Sequence, residues 1–241
     1  GNSELGVNLL KENDESKAIE KANKLDELNK KRRFLTTQLE GKVIGLIEKI
    51  KNINDNRVPN AIVVNGDDFH QGIIGIVAGR MKELYNRPVC LISIKDGIGK
   101  GSGRSIHGIP LGEIMLEALN LKIIKTGGGH NMAAGFTIDP SQINKFNIFL
   151  NDKVSYLMEK GIPRFSYIAT SVIPISACTL EIAELLEKLG PWGIGMEEPK
   201  FIVPNSKISF FKRFGTNNEH ASFYINDGSS KKLRVKIFNV L

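Results

Sequence analysis

Nine residues, Gly127-Gly128-Gly129-His130-Asn131-Met132-Ala133-Ala134-Gly135, hold the densest chemistry in this 241-residue chain. Three successive glycines can take positive φ and turn their N–H groups toward one anion, because no Cβ blocks the approach. His130 then adds a donor whose charge changes near neutral pH. A second small-residue run upstream, Gly101-Ser102-Gly103-Arg104-Ser105, adds two hydroxyls and a planar guanidinium suited to bidentate phosphate binding. Together the two runs predict a phosphate cradle made by Ser102, Arg104, Ser105, Gly127, Gly128, Gly129 and His130.

Plainer readings compete at each point. A glycine triplet before a histidine also fits an ordinary loop between two elements. Gly97, Gly99, Gly101 and Gly103 alternate as a hairpin turn running into a strand would. Gly99-Lys100-Gly101-Ser102 resembles a P-loop only superficially, since the lysine there must be followed directly by Ser or Thr and Gly101 intervenes. His70 precedes Gly72 and the start of a helix, where it either helps seat an anion or is simply exposed. His107 and His220 read as ordinary loop or strand residues, and Arg80 and Arg87 as structural or solvated. The four histidines are never at metal-ligand spacing with one another or with Asp or Cys, so no metal site is expected in these residues.

The elements that must position these groups are legible from periodicity. Ile19, Ala22, Leu25, Leu28, Leu35, Leu39, Val43, Leu46, Ile47 and Ile50 recur at three- and four-residue steps without a proline, which predicts one long helix in the first 57 residues. From 58 to 162 strand and helix alternate: a strand at 61–65, a helix at 72–85, a buried strand at 88–94, a helix at 111–119, the glycine loop leading into a strand at 133–138, and a helix at 140–159. This is an α/β domain. Character changes near Gly161-Ile162-Pro163, and after a helix at 180–189 short strands follow at 200–203, 207–214, 220–226 and 231–239.

That last segment, 163–241, is basic and aromatic. Lys200, Lys207, Lys212, Arg213, Lys231, Lys232, Arg234 and Lys236 outnumber Glu219 and Asp227, and Phe201, Phe210, Phe211, Phe214, Phe223, Tyr224 and Phe238 are interleaved with them. Basic groups can follow a nucleic-acid backbone while aromatic faces stack bases, so Lys212, Arg213, Lys232 and Arg234 are candidate contacts. Several of the aromatics must instead fill a small β core, leaving one or two expected at the surface.

The order of these motifs resembles the C-terminal part of the RecJ-type single-strand-specific DNA exonucleases, of the DHH phosphoesterase superfamily. The resemblance runs from Leu5-Gly6-Val7-Asn8-Leu9-Leu10 and Leu25-Asp26-Glu27-Leu28-Asn29 through Phe69-His70-Gln71-Gly72-Ile73-Ile74-Gly75-Ile76-Val77-Ala78-Gly79-Arg80 and the two glycine runs. It ends at Leu189-Gly190-Pro191-Trp192-Gly193-Ile194-Gly195-Met196-Glu197-Glu198-Pro199. Phe69 stands where the family usually has Trp, and Met196 where it often has Asn. The resemblance implies a connecting helix (1–57), a DHH-associated α/β domain (58–162) and a small, incomplete OB-like β-barrel (163–241). It implies a parent enzyme that cuts single-stranded DNA from the 5′ end in repair and recombination, with Mn2+ or Mg2+ held by a domain carrying an Asp-His-His motif that these residues lack. In that setting His130 is catalytic, no metal ligand lies in this chain, and a single-strand-binding protein or a helicase is a further partner. The alternatives are a phosphatase of short oligonucleotides or cyclic dinucleotides from the same superfamily, and a non-catalytic single-strand-binding module. For the first helix the alternative is a coiled-coil dimer arm.

Composition fits an anionic partner without demanding one: 33 basic against 26 acidic residues give a net charge of +7. Cys90 and Cys178 sit in apolar stretches and read as free thiols in a reducing compartment. With no apolar run near the ~18 residues of a membrane span, a cytoplasmic protein is expected.

Overall fold

Asp14 accepts a hydrogen bond from the Lys17 amide and so starts helix α2 (Glu15–Ile53), which follows a short helix α1 (Ser3–Leu10). The structure, a computed structural model, describes residues 3–161, 169–193, 195–216, 218–238 and 240. These fall into two compact units, divided between residues 165 and 166. The boundary expected at 162/163 lies outside the described residues. The 39 residues of α2 make a rod of roughly 60 Å. Only its second half is buried, through Thr36, Leu39, Val43 and Ile47, whereas Ile19, Leu28 and Phe34 are exposed.

The first unit is built on a five-stranded mixed sheet. Its strands are β1 (Ile62–Gly66), β2 (Val89–Lys95), β3 (Ile98–Arg104), β4 (Thr126–His130) and β5 (Ala133–Ile138), in the order β1-β2-β3-β5-β4. β1 and β2 are parallel and joined by helix α3 (Gln71–Tyr85), and every other pair is antiparallel. Asp96 and Gly97, both at positive φ, close the β2–β3 hairpin in the Asp-Gly manner that suits the strand twist.

Alternation along β2 feeds two cores. Val89 and Leu91 join Val43 and Ile47 of α2 and Ile73, Val77 and Met81 of α3 on one face. Cys90 and Ile92 join Phe136 and Ile138 on the other, against helices α4 (Leu111–Asn120) and α5 (Ile143–Glu159). Burying side chains such as Leu91, Met115 or Phe146 completely is worth about 1.5–3 kcal/mol each. The expected helix from residue 140 begins instead with a single 3-10 turn, Pro140–Gln142, because Asp139 caps Ser141 and the proline fits the first turn.

The second unit holds a parallel pair, β6 (Ser171–Val172) and β7 (Phe201–Ile202), with helix α6 (Leu180–Leu189) between them in sequence, and an antiparallel sheet. The sheet runs β10-β9-β8, with β8 (Lys207–Phe214), β9 (His220–Asn226) and β10 (Leu233–Ile237). Periodicity did not reveal β6, which is too short to show alternation. Among the described residues the sheet is open. So small a set of strands has too little surface to cover all the aromatics of this unit, and Phe201, Phe210, Phe211 and Phe238 are exposed rather than the one or two expected. No helix of the described residues is long and apolar enough to cross a membrane.

Candidate phosphate-binding face

The glycine triplet is not a loop. Gly127, Gly128 and Gly129 run extended in β4 and pair with Phe136, Gly135 and Ala134 of β5, and none of the three takes positive φ. Successive amides of a strand point in opposite directions, so the three N–H groups do not converge on one anion as the sequence predicts. The glycines serve packing instead. A Cβ on Gly127 would stand 2.6 Å from Ile124 Cδ1, and one on Gly129 would stand 2.6 Å from Ala134 Cα. Gly112, in the first turn of α4, needs the same close approach, since its Cβ would lie 2.9 Å from the Gly129 carbonyl oxygen.

What the pairing does accomplish is to bring the two runs together. Directly opposed residues of antiparallel strands share a face. Ser102, Gly135 and Gly128 form one cross-strand row, and Arg104, Ala133 and His130 form the next. Two strand spacings separate the backbones of Arg104 and His130 by about 10 Å. Between the side chains the floor is bare: a Cβ on Gly128 would meet nothing within 4 Å, and one on Gly135 only the Gly101 carbonyl oxygen at 3.9 Å. The result is an open, glycine-floored face with cationic or ionisable groups at two edges.

Arg104 lies back along its strand. Its Nη1 donates to the Gly103 carbonyl at 2.8 Å and to Ser102 Oγ at 3.3 Å, and among the described residues no carboxylate pairs with it. Helix α3 crosses this pair at Gly75, whose missing Cβ leaves the room: it would stand 2.9 Å from Ser102 Oγ and 3.0 Å from Arg104 Nη2. A half-buried guanidinium with no counter-ion, beside a hydroxyl, is suited to a phosphate. Sequence reasoning did not single out Gly75 as part of the site; its signal is a small residue in an otherwise aliphatic stretch of helix, Ile73-Ile74-Gly75-Ile76-Val77.

Other predicted members fall elsewhere. Ser105 is buried, and its hydroxyl donates to the Ile109 carbonyl at 2.7 Å, so it is not presented to a ligand. The Ser105 amide donates to the Met132 carbonyl and the Leu111 amide to the Asn131 carbonyl, which pins the β4–β5 turn and so positions His130. His70 is the N-cap of α3, its Nδ1 accepting from the Gly72 amide at 3.1 Å. It stands at the opposite end of the sheet: the preceding Phe69 carbonyl accepts from Ser93, four residues along β2 from the Val89–Arg104 pair, roughly 13 Å away. Arg80 pairs with Glu40 and ties α3 to α2. A cleft lined by Val63, Asn65, Ile94, Asn144 and Asn147 carries no cationic group.

In the second unit Lys212 and Arg234 share one sheet face, through Ser222 and Tyr224 of β9, and Arg234 Nε donates to Ser222 Oγ at 3.2 Å. Lys232 lies over the Phe210 ring, its Nζ 5.8 Å from the centroid. Arg213 belongs to the other face, opposite Ala221, and donates to the Asn218 carbonyl. Among the described residues no three His, Cys, Asp or Glu side chains gather as a metal site would require.

Known proteins resemble this chain in both of its units. The DHHA1 domain model matches residues 57–155, and the RecJ OB domain model matches residues 170–241. The single-stranded-DNA-specific exonuclease RecJ of Escherichia coli is 31% identical over 200 residues, covering 82% of this chain and 34% of that protein. The protein of the same name from Haemophilus influenzae is 32% identical over 222 residues, covering 91% of this chain and 38% of its own length. The crystal structure of RecJ in complex with Mn2+ from Thermus thermophilus superposes with a TM-score of 0.76 at 26% identity, over 98% of this chain and 33% of that one. A second structure of that protein, in complex with Mg2+, gives 0.73 over 97% of this chain and 34% of that one, also at 26% identity. The chain spans 28–38% of the length of the curated relatives it matches.

Proposed function

This chain belongs to the RecJ family, and from that premise we propose that it is the substrate-binding part of a metal-dependent 5′-to-3′ single-stranded DNA exonuclease acting in DNA repair and recombination. The observation that carries the proposal is the uncompensated Arg104 beside Ser102, in register with His130 across a glycine floor. Ser102 and Arg104 hold the phosphate of the terminal nucleotide. His130 donates to an oxygen of the scissile phosphate and stabilises the charge that develops there. Gly128 and Gly135 let the sugar-phosphate chain lie close against the sheet, a role that replaces the converging amides expected from the sequence.

Divalent metal, when bound, activates water and stabilises the leaving oxygen. In this reading Mg2+ or Mn2+ is held outside the described residues, which alone are inactive, and this chain binds, orients and neutralises charge. Residues 1–57 connect, 58–162 carry the phosphate face, and 163–241 hold the single strand through Lys212, Lys232 and Arg234. The partners are single-stranded DNA and, for recruitment, a single-strand-binding protein or a helicase, in the cytoplasm.

The test is the affinity of this chain for a labelled 5′-phosphorylated single strand and for the matching duplex, titrated over salt. A single-strand preference that weakens with salt and loses its 5′-phosphate dependence in Arg104→Ala is expected. In the intact nuclease, Arg104→Ala and His130→Ala are expected to lower activity. Unchanged activity in both would overturn the assigned roles, and no binding to either DNA would favour a short-oligonucleotide phosphatase.

A further inference from the structure

Strand β8 carries an outlier that the fold alone does not explain. Ser209 opposes Tyr224 and Lys212 opposes Ser222, so Phe210 and Phe211 together face the single residue Phe223, which defines a β-bulge. Phe210 sits in that bulge at φ +54°, in the left-handed region. Bulges of this kind take glycine there, because a Cβ strains the backbone. The usual compensation for strain is burial, yet Phe210 is among the most exposed large apolar residues described, at 76%. Strain retained at an exposed aromatic points to a function.

Its surroundings say which. Lys212, Ser222 and Lys236 form one cross-strand row, and Ser209, Tyr224 and Arg234 the next, so Phe210 emerges beside a basic face. The Phe210 ring meets Tyr224 edge-on at 6.2 Å, and Lys232 closes over it. Strands β8, β9 and β10 contribute no Asp or Glu to this face. Cations on one sheet face beside a flat ring exposed to solvent match an unpaired base and its flanking phosphates; a base inside a duplex has no face to offer.

We propose that Phe210, held outward by the strained bulge, is a base-stacking platform for single-stranded nucleic acid, with Lys232 at its edge and Lys212, Arg234 and Lys236 on the adjoining phosphates. The proposal rests on the single-strand-binding reading above and adds the residue and the contact. It also accounts for a phenylalanine where glycine would relieve the backbone.

Phe210→Gly tests it, because glycine suits the bulge while deleting the ring. Binding of an oligothymidylate and of a duplex to the 241-residue chain is measured over a salt series, together with thermal unfolding. Expected are an unchanged or higher melting temperature, a single-strand affinity lower by roughly 5- to 150-fold, the range of one base stack, and an unaltered salt slope. Lys212→Ala is expected to do the reverse, reducing the salt slope with a loss that is largest at low salt and shrinks as salt rises. Phe210→Trp is expected to keep affinity and to show emission quenching on binding beyond that of the wild type. Wild-type affinity in Phe210→Gly would overturn the stacking role while leaving the single-strand reading intact. A fall in melting temperature would show that the ring supports the fold instead. If the wild-type chain binds no single strand, the underlying reading fails and this inference with it.

Discussion

Replacing Gly75 by alanine probes the phosphate face without substituting Ser102 or Arg104. In an unobstructed helix interior the change stabilises by about 0.8–1.0 kcal/mol. Here the new Cβ would meet Ser102 Oγ at 2.9 Å, Arg104 Nη2 at 3.0 Å and Arg104 Cζ at 3.6 Å. All three belong to side chains, so the structure yields by turning the serine and swinging the guanidinium away while the backbone stays. The gain in helix propensity and the cost of that displacement then offset within about 1 kcal/mol, which moves the melting temperature by no more than about 2–4 °C. Phosphate affinity has no such compensation. Losing charge-assisted hydrogen bonds worth about 1.5–3 kcal/mol corresponds to roughly 10- to 150-fold. Anisotropy titrations of 5′-phosphorylated and 5′-hydroxyl single strands are expected to show the preference for the phosphate collapsing while hydroxyl-ended binding holds. Two results would refute the reasoning: an intact phosphate preference, which removes the Ser102–Arg104 pair as the phosphate site, or a melting temperature lower by more than about 8 °C, which makes Gly75 a packing residue of the fold.

Two further outcomes are expected. The Asp227 carboxyl is held down to about 2 by the Ser229 hydroxyl and by the amides of Ile175 and Ser229. Its folded value is below its unfolded one, so its stabilisation is complete above about pH 4 and is lost as pH falls toward 2; in Asp227→Asn, thermal unfolding between those values should change less steeply than in the wild type, and an equal slope would show that the carboxylate ties nothing. Burial pushes the Cys90 thiol up to about 12, whereas Cys178 is only half-buried. A thiol reagent at pH 8 should therefore modify Cys178 alone until the protein unfolds, and two equal rates would contradict the buried placement of Cys90.

Much of this protein was legible in one dimension. The apolar steps of residues 19–50 set a long helix, because only a 3.6-residue period gathers them on one face, although the fold buries that face only in the second half. The strand–helix alternation of 61–159 and the basic, aromatic strands near the end are likewise local patterns, and the order of motifs carried the family. Local chemistry misled at Gly127–Gly129, where permissive residues suggest a turn and the pairing with β5 imposes an extended edge strand instead. It misled again at Ser105, a hydroxyl spent on the Ile109 carbonyl inside the core. That Ser102 and Arg104 share a face with His130, and Gly101 and Gly103 do not, follows from cross-strand register, and a slip of one residue would turn every side chain to the other face. Register is fixed by partners about thirty residues away, and Phe210 owes its exposure to the same kind of pairing, a bulge opposite Phe223 that no window of neighbouring residues encodes. The sequence by itself determined which chemical groups this protein carries and which elements hold them; only the tertiary structure decided which of those groups look at the same point in space, because facing depends on contacts between segments far apart in the chain.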